Sequence, residues 1–471
     1  MLLFSKINYT TLIIMKISYI FFLICLINYT FAIDDSCEEI IIIKKEKATD
    51  TIIEEPKNKV IFYDNKSIDD VENEINKAST KFKLIVMQNN LNAEKTEYLV
   101  DLIKNKKIFL LKITGCKIKK DHIKNIFDAI KKNETITDFS FQKNNLEDMD
   151  SIKHLINSIY YNDHIKNITL SGLKIKNCGM EIIGKKLMIS KKIKKLIIGD
   201  NELEKGGMKY IFDSICINNY ITLLDVGFND ISGSSSYLSK MIIKNYNLRV
   251  LNISGIFTTK EEVNEIIKSL KKNKSIEVLT INSSKILSNM MSEFCKLIEE
   301  NIALKSIIIR NNNIGDKEIK KICKSLKKNN SIEKIDLFGN RITSKGLELL
   351  KNSINSKNFK CINIGENNIC QKGLKTILKI TNKHPSIYEF YFEGNNFKNL
   401  SLNYKMKSIF IGKKRAFKVN KNKFEEQLEI IRETIEKRQK IIQSKKTMQK
   451  RQEKVEGIKK LYYKLFFLLK N

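Results

Sequence analysis

The stretch closest to a phosphate-binding loop is Gly179-Met-Glu-Ile-Ile-Gly184-Lys185. Two glycines bracketing four residues, followed by Lys, cradle phosphates when a Ser or Thr comes next to hold magnesium. Here Lys186 follows, so the loop is incomplete. The histidines His122, His154, His164 and His384 are far apart and lack metal-ligand spacing. No Gly-x-Ser-x-Gly elbow occurs, and no Cys/His couple or carboxylate pair is set up for acid–base work. Neither a cofactor, a metal nor an enzymatic activity is therefore expected. What remains is the chemistry of contact. Asp336, Phe338, Asn363, Glu389, Tyr391 and Glu393 put aromatics among acids and amides, a composition suited to a protein partner.

The elements that would present those six residues are read from a repeat. Its clearest copy is Ile332-Glu-Lys-Ile335-Asp-Leu337-Phe-Gly-Asn340-Arg-Ile342. Others begin at Phe359 (Ile362, Ile364, Asn367, Ile369) and Ile387 (Phe390, Phe392, Asn395, Phe397). Backwards along the chain the ninth position falls on Asn312, Ser284, Ile256, Asn229, Asn201, Leu173, Asn144, Cys116 and Asn89, at spacings of 27 to 29 residues. Alternating apolar residues place one side of a short strand inward, and the third, fifth and seventh positions outward. Asn in the ninth position can donate to carbonyls of the neighbouring turn; Cys116 can substitute, while Leu173, Ile256 and Ser284 should loosen that ladder. An amphipathic helix follows, opened by a glycine at Gly179, Gly207, Gly346 and Gly373. The register puts Ile182 and Ile183 on its buried side. Helices close with Lys-Lys-Asn, as at 131–133, 271–273 and 327–329. Lys suits the negative end of the helix dipole, and Asn tolerates a left-handed cap.

A repeat near 28 residues, with a helix in each unit and Asn or Cys ninth, resembles the ribonuclease-inhibitor-type leucine-rich repeats. The resemblance covers about residues 80–400. It implies an α/β solenoid, a horseshoe with parallel strands on the concave face and helices on the convex face. Members include the ribonuclease inhibitor, sensor arrays of innate-immunity receptors and Ran GTPase-activating proteins, which share architecture and not one function. It implies a protein ligand on the concave face. A Ran-type GTPase-activating role is the alternative, against which stand the leader-like start and a basic tail where those proteins carry an acidic one.

The expected organisation is a signal peptide over 1–32, an N-terminal cap over 33–80, about twelve repeats over 81–400, a C-terminal cap over 401–419 and a basic helical tail over 420–471. Lys16 precedes the apolar run Ile20–Ile27, and Thr30-Phe31-Ala32 offers small residues for cleavage. The run falls short of the roughly 20 residues that span a bilayer. Secretion follows as the expectation, with a signal anchor as the competing reading. Eight cysteines beyond the leader show no framework spacing, and export into a reducing host cytoplasm would reconcile them with secretion. Ile40–Ile43 and Val60–Tyr63 could supply cap strands. In the tail, Phe424, Leu428, Ile431, Ile435 and Ile442 follow helical spacing, predicting a long C-terminal helix. That tail could pack on the last repeat, pair as a coiled coil, or tether the solenoid as a scaffold to an anionic membrane surface or nucleic acid. The net charge of +32 comes almost wholly from Lys, which speaks for solvated faces, and acids on the concave face speak against nucleic acid there. Sequons at Asn133, Asn167, Asn252 and Asn273 recur in an Asn-rich chain; glycans on Asn167 or Asn252 would block the concave face.

Overall fold

The computed structural model describes residues 59–396, with short breaks, and 409–410. The signal-peptide stretch, most of the expected N-terminal cap, nearly all of the C-terminal cap and the whole basic tail with its long helix lie outside the described residues, as do Ile256 and Phe397.

One 14-stranded sheet takes its strands in chain order, with a helix between successive members of the first thirteen. Neighbours run parallel in matched register: Val250 faces Leu223 on one side and Val278 on the other, and Ile307 faces Ile335. A pairing offset equal to the repeat length is what a solenoid requires, since every unit can bury its apolar side only against the next. The sheet starts with Lys59–Tyr63, paired parallel to Phe82–Met87, and ends with Ile409–Phe410, antiparallel to Glu389–Phe390. A second, two-stranded sheet joins Asn90–Leu91 to Lys117–Ile118. The α/β leucine-rich-repeat solenoid is thus present. Strands repeat every ~4.8 Å and packed helices every ~8–10 Å, so the strand side must be the shorter, inner side of such an array.

Inside each unit the alternation holds. Ile332, Ile335, Leu337 and Ile342 are all buried, and so are Ile319, Ile322, Cys323 and Leu326 of the helix Asp316–Lys328, at spacings of three and four. Helix starts are capped locally: Thr259 and Glu262 form a reciprocal capping box, and Asn92 and Asp148 accept from first-turn amides. Gly179, Gly346 and Gly373 lie within the first turn of their helices, where an added Cβ would come within 2.2–2.8 Å of the Cγ2 of Ile175, Ile342 or Ile369. Glycine there lets the eleventh-position isoleucine tuck beneath the helix it precedes.

The residue before each ladder position is left-handed throughout, from Gln88 (φ 47°) to Gly394 (φ 71°). This turn swings the ninth residue from the strand end into the core. Only five of the twelve such residues are glycine, and Lys143, Phe228 and Glu366 accept the same strained conformation.

Asn340 shows how the ninth-position ladder works. Its Nδ2 donates to the carbonyls of Ile309 (3.0 Å) and Leu337 (2.8 Å), and its Oδ1 accepts from the amides of Asn312 and Ile314 (both 3.0 Å). Asn229, Asn312 and Asn395 repeat the pattern. Cys116 donates weakly to the Val86 carbonyl. Leu173 is fully buried and supplies no donor, Ser284 leaves its hydroxyl unpartnered, and so does the side-chain amide of Asn89 at the start of the column.

The helix-closing asparagines act otherwise than expected. Asn133, Asn218, Asn273 and Asn329 are extended, with φ between −69° and −87°, not left-handed. Their value lies in the side chain. In Asn301, Nδ2 donates to the carbonyls of Leu270 (2.7 Å) and Asn273 (3.0 Å), while Oδ1 accepts from the amides of Ala303 and Leu304 (both 2.8 Å). Asn162, Asn218, Asn245 and Asn329 do the same, so a second buried ladder joins successive helix ends. The donor meets carbonyls of the last helical turn, some of which, such as that of Leu270, also accept a backbone amide from the cap residue.

Candidate interaction surface

The outward positions of the strands form three columns on the sheet face away from the helices. Position five reads Ser140, Thr169, Ile197, Asp225, Asn252, Thr280, Ile308, Asp336, Asn363 and Tyr391; position seven reads Gln142, Ser171, Gly199, Gly227, Ser254, Asn282, Arg310, Phe338, Gly365 and Glu393. Short strands stacked every ~4.8 Å bring side chains 27 to 29 residues apart into direct lateral reach.

From Asp225 to Asn363 those side chains are tied together. Asn252 Nδ2 donates to Asp225 Oδ2 (2.8 Å), whose other oxygen accepts from the Gly227 amide (2.9 Å). Ser254 Oγ donates to Asn252 Oδ1 (2.6 Å) and accepts from the Asn282 amide (2.9 Å). Asn282 Oδ1 accepts from the Arg310 amide (2.8 Å). The Arg310 guanidinium grips Asp336 Oδ2 through Nε (2.9 Å) and Nη2 (2.7 Å). Asp336 also accepts from the Phe338 amide (3.1 Å) and from Asn363 Nδ2 (3.3 Å). Asn363 Oδ1 accepts from the Gly365 amide (3.0 Å).

The Asp336 carboxylate is almost fully covered yet held by a cation and two further donors, which is how a buried charge is stabilised. Asp225 has no such cation against it. Burial pushes its carboxyl above the usual range, while the Gly227 amide, Asn252 and the charge of Lys195 pull it back. The Phe338 ring lies between the Arg310 guanidinium, 5.7 Å from its centroid, and Gly365, where an added Cβ would come within 2.8 Å of the ring.

Of the six residues singled out for contact, Phe338, Glu389, Tyr391 and Glu393 are half-buried on this face. Asp336 and Asn363 are on the same face but buried, their polar atoms engaged laterally; they hold their neighbours in place instead of offering free groups. Arg310 and Asp225 were not singled out. The signal is there when units are aligned, as an acid in column five beside an amide or a diagonal Arg one repeat away.

Several of the other chemistry-bearing residues have structural partners. Gly179 through Lys186 lie in the helix Lys176–Ile189, with Ile183 buried and Ile182 half-buried. Gly184 permits contact with the next helix, for an added Cβ would lie 2.6 Å from the Tyr210 carbonyl. His122 Nδ1 meets the Leu91 carbonyl at 3.1 Å, and His154 pairs with Asp128 at 3.0 Å. Among the described residues no three metal-ligating side chains converge. The seven described cysteines are free thiols, and burial pushes those of Cys116, Cys295, Cys323 and Cys361 upward, away from the reactive thiolate.

Residues 154–340 match the family model of the MHP1/HER1/GIP3 LRR domain. No curated protein matches the chain. Among solved structures, Leiomodin-1 Actin-Binding Site 2 (ABS2) is similar at 18% identity and a TM-score of 0.25, covering 31% of this chain and 86% of that one. Leucine-rich-repeat domains generally bind proteins. Periodicity, sheet register, both asparagine ladders and the family model matched over residues 154–340 agree on the architecture: the described repeats form a leucine-rich-repeat solenoid.

Proposed function

We propose that the chain is a binding protein and not an enzyme, and that it takes a protein partner on the exposed face of its sheet, around Phe338, Tyr391, Glu389 and Glu393. The observation that carries this reading is the lateral hydrogen-bonded row from Asp225 to Asn363. Side chains already fixed before contact lose little rotamer freedom on binding, so a partner meets a surface prepared for it. Phe338, wedged beside Arg310, and Tyr391 supply the aromatic area that dominates binding energy at such surfaces. The test is a titration of the partner captured by the full-length chain. Phe338→Ala with Tyr391→Ala should weaken it by about 2 kcal/mol or more, while removal of residues 420–471 leaves it within about threefold. Full binding by the double variant ends this reading.

Export is part of the same proposal. Residues 1–32 would be removed, so N-terminal sequencing of released protein should start near Ile33. Recovery of the intact N-terminus in a cytosolic fraction contradicts it.

A further inference from the structure

The solenoid carries a second surface of different character. Of the nine exposed large hydrophobic residues among those described, eight lie beside the helix-cap column: Tyr161, Met188, Ile189, Ile217, Tyr220, Ile243, Tyr246 and Ile302, between 39% and 76% exposed. The cap ladder places them along one edge. Asn162 Nδ2 reaches the Asn133 carbonyl (2.6 Å), Asn218 reaches that of Ser190 (2.8 Å) and Asn245 that of Asn218 (3.0 Å), so residues flanking those caps are neighbours in consecutive units. From Tyr161 to Tyr246 four adjoining units expose Tyr, Met or Ile there. The units on either side carry Lys131-Lys132 and Lys271-Lys272 in the same places. A contiguous apolar patch bordered by charge marks a site of association.

We propose that this edge docks onto an anionic phospholipid membrane. Lysines surround and penetrate the patch, with Lys186 4.3 Å from the Tyr160 ring centroid, Lys131 5.0 Å from that of Tyr161 and Lys194 5.2 Å from that of Tyr220. Asp163, the acid flanking the caps between Tyr161 and Tyr246, is paired with Lys192 at 3.4 Å, and Glu300 beside Asn301 is paired with Lys271 at 2.8 Å. Exposed tyrosines and isoleucines with lysines that can extend past them suit the boundary between headgroups and acyl chains. An acidic protein would satisfy the charge but would not call for a row of isoleucines open to solvent.

Ile243 and Lys244 also line a groove of about 430 Å³ between the helices Ser235–Lys244 and Lys260–Lys272. Lys240, Lys268 and Lys272 frame it against one acid, Glu265, and the buried Ser239 hydroxyl in its lining has no partner. A phosphate-bearing headgroup fits that chemistry. The membrane edge and the sheet face use different residues, so either proposal can fail alone.

The sequence contains no tryptophan, so a single introduced one reports only its own site in the full-length chain. Ile217→Trp and Tyr246→Trp should shift to the blue and be quenched by brominated acyl chains on vesicles of phosphatidylcholine with phosphatidylserine, but not on phosphatidylcholine alone. Tyr391→Trp, on the sheet face, should respond to neither. Replacing Lys244 or Lys272 with Gln should raise the lipid needed for half-response about fivefold each. The proposal is overturned if the chain ignores anionic vesicles. It is also overturned if the chain binds them while the Ile217→Trp and Tyr246→Trp reporters stay unshifted, as attachment through the tail would give. It fails equally if those two reporters are already shielded without lipid, which would mean protein covers the edge.

Discussion

The ninth-position ladder and the helix-cap ladder use the same amide for the same purpose, yet across residues 116–340 the first is broken repeatedly and the second once; outside that stretch Lys106 and His384 close helices without an asparagine. At the strand ends Cys116, Leu173 and Ser284 interrupt the asparagines. At the helix ends the column runs from Asn133 to Asn329 with a single departure, Ser190, whose hydroxyl is unpartnered. Even that gap is served: Lys192 Nζ donates to the Tyr160 carbonyl (2.8 Å) and to the Asn162 carbonyl that an asparagine in place of Ser190 would have taken. The difference lies in what each site leaves without a partner. A strand end is flanked by lateral backbone bonds, such as Gly339 N to the Gly365 carbonyl (2.9 Å), whereas a helix end exposes its last carbonyls just where the chain turns toward the next strand. A buried asparagine there answers donors and acceptors together.

This contrast can be broken by substitution. The largest effect is expected for Asn301→Ala, which removes the side-chain partner of the Ala303 and Leu304 amides and of the Asn273 carbonyl in the middle of the cap ladder. Urea denaturation should show a loss of about 2–4 kcal/mol. Asn340→Leu should cost about 1–3 kcal/mol, because the Leu337 carbonyl keeps Asn367 Nδ2 (2.9 Å) while the Asn312 and Ile314 amides lose their acceptor; a larger loss than for Asn301→Ala would overturn the ranking. Asn133 and Asn273 sit in sequons but are buried cap residues, so mass spectrometry of folded protein from a glycosylating host should find both unmodified. Leu173→Asn should be nearly neutral, within about 1 kcal/mol, although a polar group entering a core normally costs more, because the ladder already offers Leu173's neighbours an amide site. A severe loss for Leu173→Asn would mean that the register is wrong there.

Much of the fold was legible because its signal is periodic. Isoleucines and leucines two apart, with Asn or Cys three residues on, define the strand, its inner face and the next unit together. The cap asparagines were visible in Lys-Lys-Asn, but their role was not. A left-handed cap and a ladder side chain ask for the same residue type, and only φ and the partners 28 to 31 residues away distinguish them. The left-handed residue before each ladder position was hidden because glycine marks fewer than half of them. On the sheet face, Phe338 and Tyr391 could be placed from alternation alone. Asp336 could be placed but not understood, since its burial depends on Arg310, a residue 26 positions earlier that becomes a neighbour only when units stack.

The account depends on asparagine side chains closing a stack of units that interact mainly with their neighbours. Native-state hydrogen exchange on the full-length chain, with and without Asn301→Ala, tests this most directly. The amides of Ala303 and Leu304, which donate to Asn301 Oδ1, should lose most of their protection, and Ser331 and Ile332 in the next unit should lose some. Tyr220 and Ile221, served by Asn218 three units away, should keep theirs. Unchanged exchange at Ala303 and Leu304 would contradict the cap ladder, and uniform loss along the whole array would contradict a solenoid stabilised unit by unit.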